Sequence, residues 1–299
     1  SASSCTRSSG VSVAAGDRTH AWAVGGGPVY FFNGVSWAVQ AEGLEAEPVD
    51  VASGDATHAW ACGGEGKGMV WSSEGEAWSL RFESPDSTMS LITAAGPADV
   101  WSIGTSESGS NIYHFNGADW SVQHSAPLHF QDIFALDATH VWGVAEDRSG
   151  RSYAYFFDGA SWKRQFKAPE HHFLLGVAAA DPGHVWAVGS LEEPGPAGEE
   201  PAGVVFFSDG RTWKKQADLP EQMHKVACGD ARSIWAVGGI GSSGPVYFSD
   251  GTTWKKQFDA RESLFDVAAP DAGRAWAVGG LGGIFVYEAP FTRSPTRSP

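Results

Sequence analysis

The sequence predicts an all-β fold, a seven-bladed β-propeller with four antiparallel strands per blade, and three observations predict it. One unit of roughly forty residues recurs along the chain, the spacing of a repeat architecture whose units cannot bury their apolar faces alone. Tryptophan marks the unit twice: seven copies carry a first ring (Trp22, Trp60, Trp101, Trp142, Trp186, Trp235, Trp276) and six a second (Trp37, Trp78, Trp120, Trp162, Trp213, Trp254). Of the 14 tryptophans only Trp71 falls outside this scheme. The 38 Gly and 16 Pro call for many tight turns, while 42% hydrophobic residues supply one large core.

Each unit divides into four short strands, a to d, exemplified by residues 11–15, 20–25, 29–32 and 36–40. Asn33-Gly34, Asn116-Gly117, Asp158-Gly159, Asp209-Gly210 and Asp250-Gly251 fall between c and d, where a tight hairpin needs positive φ; Glu74-Gly75 is a weaker version. Runs apolar on both faces, such as Pro245-Val246-Tyr247-Phe248, suit a sheet covered by neighbours on both sides.

The motifs Val-Trp-Ala-Val-Gly at 185–189 and Phe-Ser-Asp-Gly-Thr-Thr-Trp at 248–254 resemble the Trp-rich bacterial propeller repeats related to Asp-box proteins and photosystem II assembly factors. They resemble tectonin-type lectin repeats more weakly. The likeness covers nearly all of residues 11–288, but an Asp-box has a residue between its Asp and Gly that this chain lacks. The resemblance implies architecture rather than activity.

One propeller is expected over 1–291. The seventh repeat has no second tryptophan, and the spacing places residues 1–5 where its outer strand belongs, so that the segment 1–9 would close the last blade, with the segment around Phe291 as the rival. Residues 292–299, Thr-Arg-Ser-Pro twice, read as a Ser/Pro-rich disordered tail.

A formal net charge of −15 with 20 Lys plus Arg repels phosphate backbones, so nucleic acid is not an expected partner. No stretch approaches the ~18 apolar residues of a membrane helix, and membrane insertion is not expected. The start at Ser1, the repeat family and the Ser/Pro tail suggest a secreted or cell-surface protein. Cys5, Cys62 and Cys228 match neither a disulfide framework nor a zinc spacing.

Loop length varies mostly in the b–c connections, from Gly25-Gly26-Gly27 to the acidic run 190–203, so binding is expected on the end of the ring that b–c and d–a share. Aligned at the entry to strand a, His129, His172, Glu221 and Glu262 occupy one position in four consecutive blades. Two imidazoles and two carboxylates are a donor set for a single divalent metal at the channel mouth, with Asp132, Glu170 and His171 beside them. The bland alternative is a polar rim whose members never meet, because Ser87, Ala46 and Ser8 fill the same slot elsewhere.

His20, His58, His140 and His184 each follow an Asp by three residues; copied around a ring, the pair reads as a turn lock rather than a catalytic dyad. Trp71, outside the scheme, is the candidate exposed ring for stacking a ligand. The expected function is a non-enzymatic binding module for a glycan or a protein, with a scaffold subunit as the alternative. A sialidase-like hydrolase ranks below both, since the arginines are scattered and the tyrosines fall mostly on strand c.

Overall fold

The computed structural model describes residues 11–191 and 203–288. Six sheets have four strands in sequential antiparallel order, and the seventh has three among the described residues. Blade 1 sets the pattern with a at Ser12–Ala15, b at Ala21–Val24, c at Val29–Phe32 and d at Trp37–Ala41. The inner strands of blades 2 to 7 are Pro48–Ser53, Thr88–Gly96, Leu128–Asp137, His172–Asp181, Met223–Asp230 and Leu264–Asp271. Each packs on the next, and that of blade 7 returns to that of blade 1. The fold is the seven-bladed propeller that the repeat predicts. The segments 1–9 and 289–299, with both candidates for closing blade 7, lie outside the described residues.

Strand b is apolar on both faces because each blade is sandwiched between two others, and the first tryptophans are its largest filling. All seven are buried, Trp60 at 5% being the most exposed. The second tryptophans, at the start of strand d, are half-buried, and Trp37, Trp120 and Trp162 stand edge-on to the first ring of the preceding blade. Trp37 meets Trp276 at 5.4 Å and 89°, and Trp162 meets Trp101 at 5.9 Å and 80°.

The turns follow their residues. In the c–d hairpins the Asx side chain accepts the N–H groups two and three positions on, as Asn33 does from Val35 and Ser36 at 3.0 Å each, and Asp250 from Thr252 and Thr253. The glycine that follows has φ of 91° at both Gly34 and Gly251, which other residues adopt only with strain. In the a–b turns Asp17 accepts from the backbone of Thr19 and His20 and bonds the His20 ring, and Asp55–His58 repeats the arrangement. Asp137–His140 and Asp181–His184 keep the ring contact. The repeated Asp–His pair is a turn lock, as the sequence suggested.

Trp71 requires a correction. It is 2% exposed in strand c of blade 2, packed with Trp78 and Leu80, and is no stacking platform. Its backbone pairs with Ala61, the residue after the first tryptophan. The same register holds Tyr30, Tyr113, Tyr155, Phe206, Tyr247 and Phe285 in the other blades. Trp71 is thus the blade 2 member of an aromatic slot that elsewhere takes Tyr or Phe, which a search for tryptophan alone overlooks.

Candidate functional site

Two places on the ring carry polar groups that packing alone does not require: the axis, and the end shared by the b–c and d–a connections.

Around the axis, the residue two before the strand a partner of each first tryptophan reads Ser12, Asp50, Leu91, Asp132, Gly176, Lys225 and Asp266 through blades 1 to 7. The three carboxylates are buried, and each links two blades through backbone N–H groups. Asp50 accepts from Val51 and, in blade 3, from Ile92; Asp132 from Ile133 and, in blade 5, from Val177. Asp266 does the same across the closure of the ring, from Val267 at 2.8 Å and from Val13 at 2.9 Å. The Ser12 hydroxyl lies 2.6 Å from Asp50 and 2.7 Å from Asp266, one donor hydrogen between two carboxylates. Lys225 of blade 6 passes over blade 5 to reach Asp132 at 2.5 Å and stands 3.9 Å from Asp266. Gly176 makes room for that crossing, since a Cβ there would come 2.9 Å from the Lys225 Cα. Buried charges persist only where paired and hydrogen-bonded, and this chain of contacts meets that condition.

The axial cavity that Asp50, Lys225 and Asp266 border has a volume of about 180 Å³, its walls including small residues such as Ala14, Ala52, Ala227 and Ala268. Cys228 lines it, and burial pushes its thiol well above the ordinary range, which leaves it a poor nucleophile.

At the rim, the four aligned residues are not gathered into one site. Among the described residues no three His, Cys, Asp or Glu side chains are placed to hold a metal ion together. The correction has a local cause, because three of the four are engaged inside their own blade. The His172 ring bonds the Glu170 carbonyl at 2.8 Å, beside His171 with its φ of 63°. Glu221 accepts from the Tyr247 hydroxyl and from the Lys256 ammonium, both at 2.6 Å. Burial, with that carboxylate beside it, raises the Tyr247 phenol. Glu262 accepts from the Leu281 N–H at 2.6 Å. His129 sits half-buried on strand a of blade 4, its backbone opposite Glu146.

Sequence reasoning passed over Ser12, Asp50, Lys225 and Asp266, and named Asp132 only as a spare. A signal was available: Asp-Val-Ala at 50–52 and 266–268 and Asp-Ile-Phe at 132–134 are one pattern in one register.

Ring, axis and variable end together define a seven-bladed propeller of the kind that presents loops from a rigid closed sheet. Neither a protein-family model nor a curated protein sequence matches the chain. Among solved structures it is similar to YCF48 bound to D1 peptide, with 17% identity, 94% of each chain covered and a TM-score of 0.68. YCF48 from Cyanidioschyzon merolae matches with 18% identity, 94% of this chain and 96% of that one, and a TM-score of 0.66. A GH74 xyloglucanase from Xanthomonas campestris reaches a TM-score of 0.68 at 15% identity, over 93% of this chain and 52% of that one. At these identities the likeness is one of fold, and it joins the chain to propellers that include interaction proteins and an enzyme.

Proposed function

We propose that this chain is a non-catalytic protein-interaction module that receives an extended segment of a partner across the end of the ring formed by the b–c and d–a connections. The observation that carries the reading is where the loops vary. Eight positions separate each first tryptophan from its strand a partner in all seven blades, whereas the separation from its strand c partner runs from 9 (Trp22 to Phe31) to 21 (Trp186 to Phe207). A scaffold that holds one end constant and diversifies the other presents the diversified end to its ligand. The fold neighbour bound to a peptide supports a protein partner. Burial of Trp71 removes the ring that favoured a glycan.

The experiment is a pair of arrays, synthetic peptides and glycans, probed with the labelled full chain beside a xyloglucan hydrolysis assay. Peptide binding without hydrolysis is the expected result. Binding confined to glycans, or turnover of xyloglucan, overturns the reading.

A further inference from the structure

Two large aliphatic side chains stand in solvent at one position of neighbouring blades. Ile240 of blade 6 is 47% exposed and Leu281 of blade 7 is 85% exposed. They sit in b–c turns that read Gly-Gly-Ile-Gly at 238–241 and Gly-Gly-Leu-Gly at 279–282. The other exposed large apolar side chains among the described residues are Val35 on the c–d turn and Val39 on strand d of blade 1, Val122 and Phe258 on strand d of blades 3 and 6, and Val286 on strand c of blade 7, a scatter that is ordinary for a protein surface.

This pair is braced from beneath by the link that joins blades 6 and 7. The Ser263 N–H donates to the Gly241 carbonyl at 3.2 Å, and the Ser263 carbonyl accepts from the Gly280 N–H at 3.1 Å, so one residue ties both turns. Glu262 accepts from the N–H of Leu281 itself. Its carboxylate fills the space that a Cβ on Gly279 or Gly283 would need. Gly239, Gly241 and Gly282 have φ of 99°, 62° and 85°, so the tips are held in backbone shapes that glycine alone adopts freely. Turns braced in this way lose little backbone entropy when a partner covers the two side chains.

The neighbouring sectors say what that partner carries. The equivalent turn of blade 1 is Gly25-Gly26-Gly27-Pro28, which itself offers no long side chain. Beyond it, Glu42, Glu45, Glu47 and Glu65 are all exposed on the link into blade 2 and on the b–c turn of blade 2. Lys67, the cation on that turn, is 2.5 Å from Glu83.

We propose that the b–c turns of blades 6 and 7 anchor the aliphatic side chains of an extended partner segment, whose basic residues lie over the acidic sector beside blade 2. The proposal rests on the protein-interaction reading and specifies its partner. Fluorescein-labelled peptides carrying two leucines followed by three lysines, with Leu→Ser and Lys→Glu controls, are titrated against the full chain by anisotropy at two salt concentrations. Thermal melts verify that the variants fold. The Leu/Lys peptide should bind; I240S/L281S should weaken it at least tenfold at unchanged Tm; E45Q/E47Q should weaken it and flatten its salt dependence. Equal binding by wild type and I240S/L281S overturns the proposal. So does self-association of the chain that the same variant abolishes, which would assign the patch to a second copy. Array peptides that lack the Leu/basic pattern and bind the variant undiminished defeat this inference while keeping the interaction reading; an array with no bound peptide defeats both.

Discussion

The junction between blades 5 and 6 and the junction between blades 6 and 7 solve one packing problem in different ways. In the first, Gln216 accepts from the indole N–H of Trp186 in its own blade at 3.1 Å and of Trp254 in the next at 2.9 Å, then donates to the Gly251 carbonyl at 2.9 Å. Gln40 repeats this bracket between blades 1 and 2, taking Trp22, Trp78 and the Gly75 carbonyl. In the second, Gln257 donates to the Lys255 carbonyl instead, and Tyr287 stands 5.5 Å from Trp235, in the strand c slot that Phe32, Phe115 and Phe157 fill in blades 1, 3 and 4. The indole N–H groups of Trp235 and Trp276 are buried with no partner among the described residues. The bracket is not general: between blades 3 and 4, where both tryptophans are present, Gln123 donates to Ser121, Trp101 donates to Asp99, and the Trp162 N–H is buried with no partner among the described residues.

The closure between blades 7 and 1 relies on other means. Asp266 reaches Val13 and Ser12 near the axis. At the a–b end Arg18 makes a two-point contact with Asp271 at 2.6 and 2.9 Å, and Arg274 donates to the Arg18 carbonyl. Blades 2 and 4 carry Ala56 and Ala138 where blade 1 has Arg18 in the Asp-x-Thr-His turn. Closure therefore draws on polar links at the inner strand and one rim, beside the aromatic contacts of Trp276 with Phe32 and Trp37.

The largest effect expected is on the regular junction. Trp186→Ala empties a fully buried slot between blades 5 and 6 and should cost about 3–5 kcal/mol in a denaturant titration. A loss below about 1 kcal/mol would mean that the blades close over the gap and that ring packing does not set the stability of the junction. Next comes the closure: Asp266→Ala leaves the buried Val13 N–H without its acceptor and should cost roughly 1–3 kcal/mol. If it costs much less than Asp132→Ala, the equivalent link inside the ring, closure does not depend on the axis. Smaller again is the bracket itself. Gln216→Leu strands two indole N–H groups and should lose about 1 kcal/mol, while Gln257→Leu, which holds neither tryptophan, should lose less. Equal losses would remove the distinction between the two junctions.

The ring was legible because its signals are local and repeated: tryptophan spacing, Asx-Gly hairpins and Asp-x-x-His turns each act within a few residues. The axial chain was not, because Asp132 and Lys225 meet only after two blades are placed, and nothing near Lys225 announces a partner 93 positions away. The rim candidates failed for the opposite reason. His172, Glu221 and Glu262 occupy equivalent positions, but equivalence in sequence does not oblige side chains to converge when nearer donors and acceptors satisfy them. The Gln brackets belong between these cases: Trp-x-x-Gln recurs at 37–40, 120–123, 162–165, 213–216 and 254–257, but Gln40 and Gln216 each take two indoles whereas Gln123 bonds Ser121, so the pattern alone does not announce the bracket.

The smallest effect expected concerns the a–b turns, and it separates blades with an Asp–His lock from blade 7. Burial alone would raise the Asp17 carboxyl, but the Thr19 N–H, the His20 ring and the Thr19 hydroxyl outweigh it and hold it at about 2, below its ordinary 3.8. Asp55, Asp137 and Asp181 are lowered in the same way. A carboxyl that binds its proton more weakly in the folded chain contributes stability above its unfolded value, and that contribution disappears as pH falls through its folded value. Stability should therefore decline between about pH 4 and pH 2, modestly for each turn because these side chains are well exposed and screened. Asp17→Asn keeps an acceptor oxygen for the turn and removes the titration, so it should lower neutral stability by that one modest increment and make the acid limb shallower by the same amount. Asp271 of blade 7 is lowered first by the Arg18 guanidinium rather than by a histidine, with the Gly273 and Arg274 N–H groups adding to it, so its share of the acid limb should shrink in Arg18→Ala, while the shares of the Asp–His turns persist. Acid titrations of the two variants that superimpose would show that the closing turn behaves as the others do.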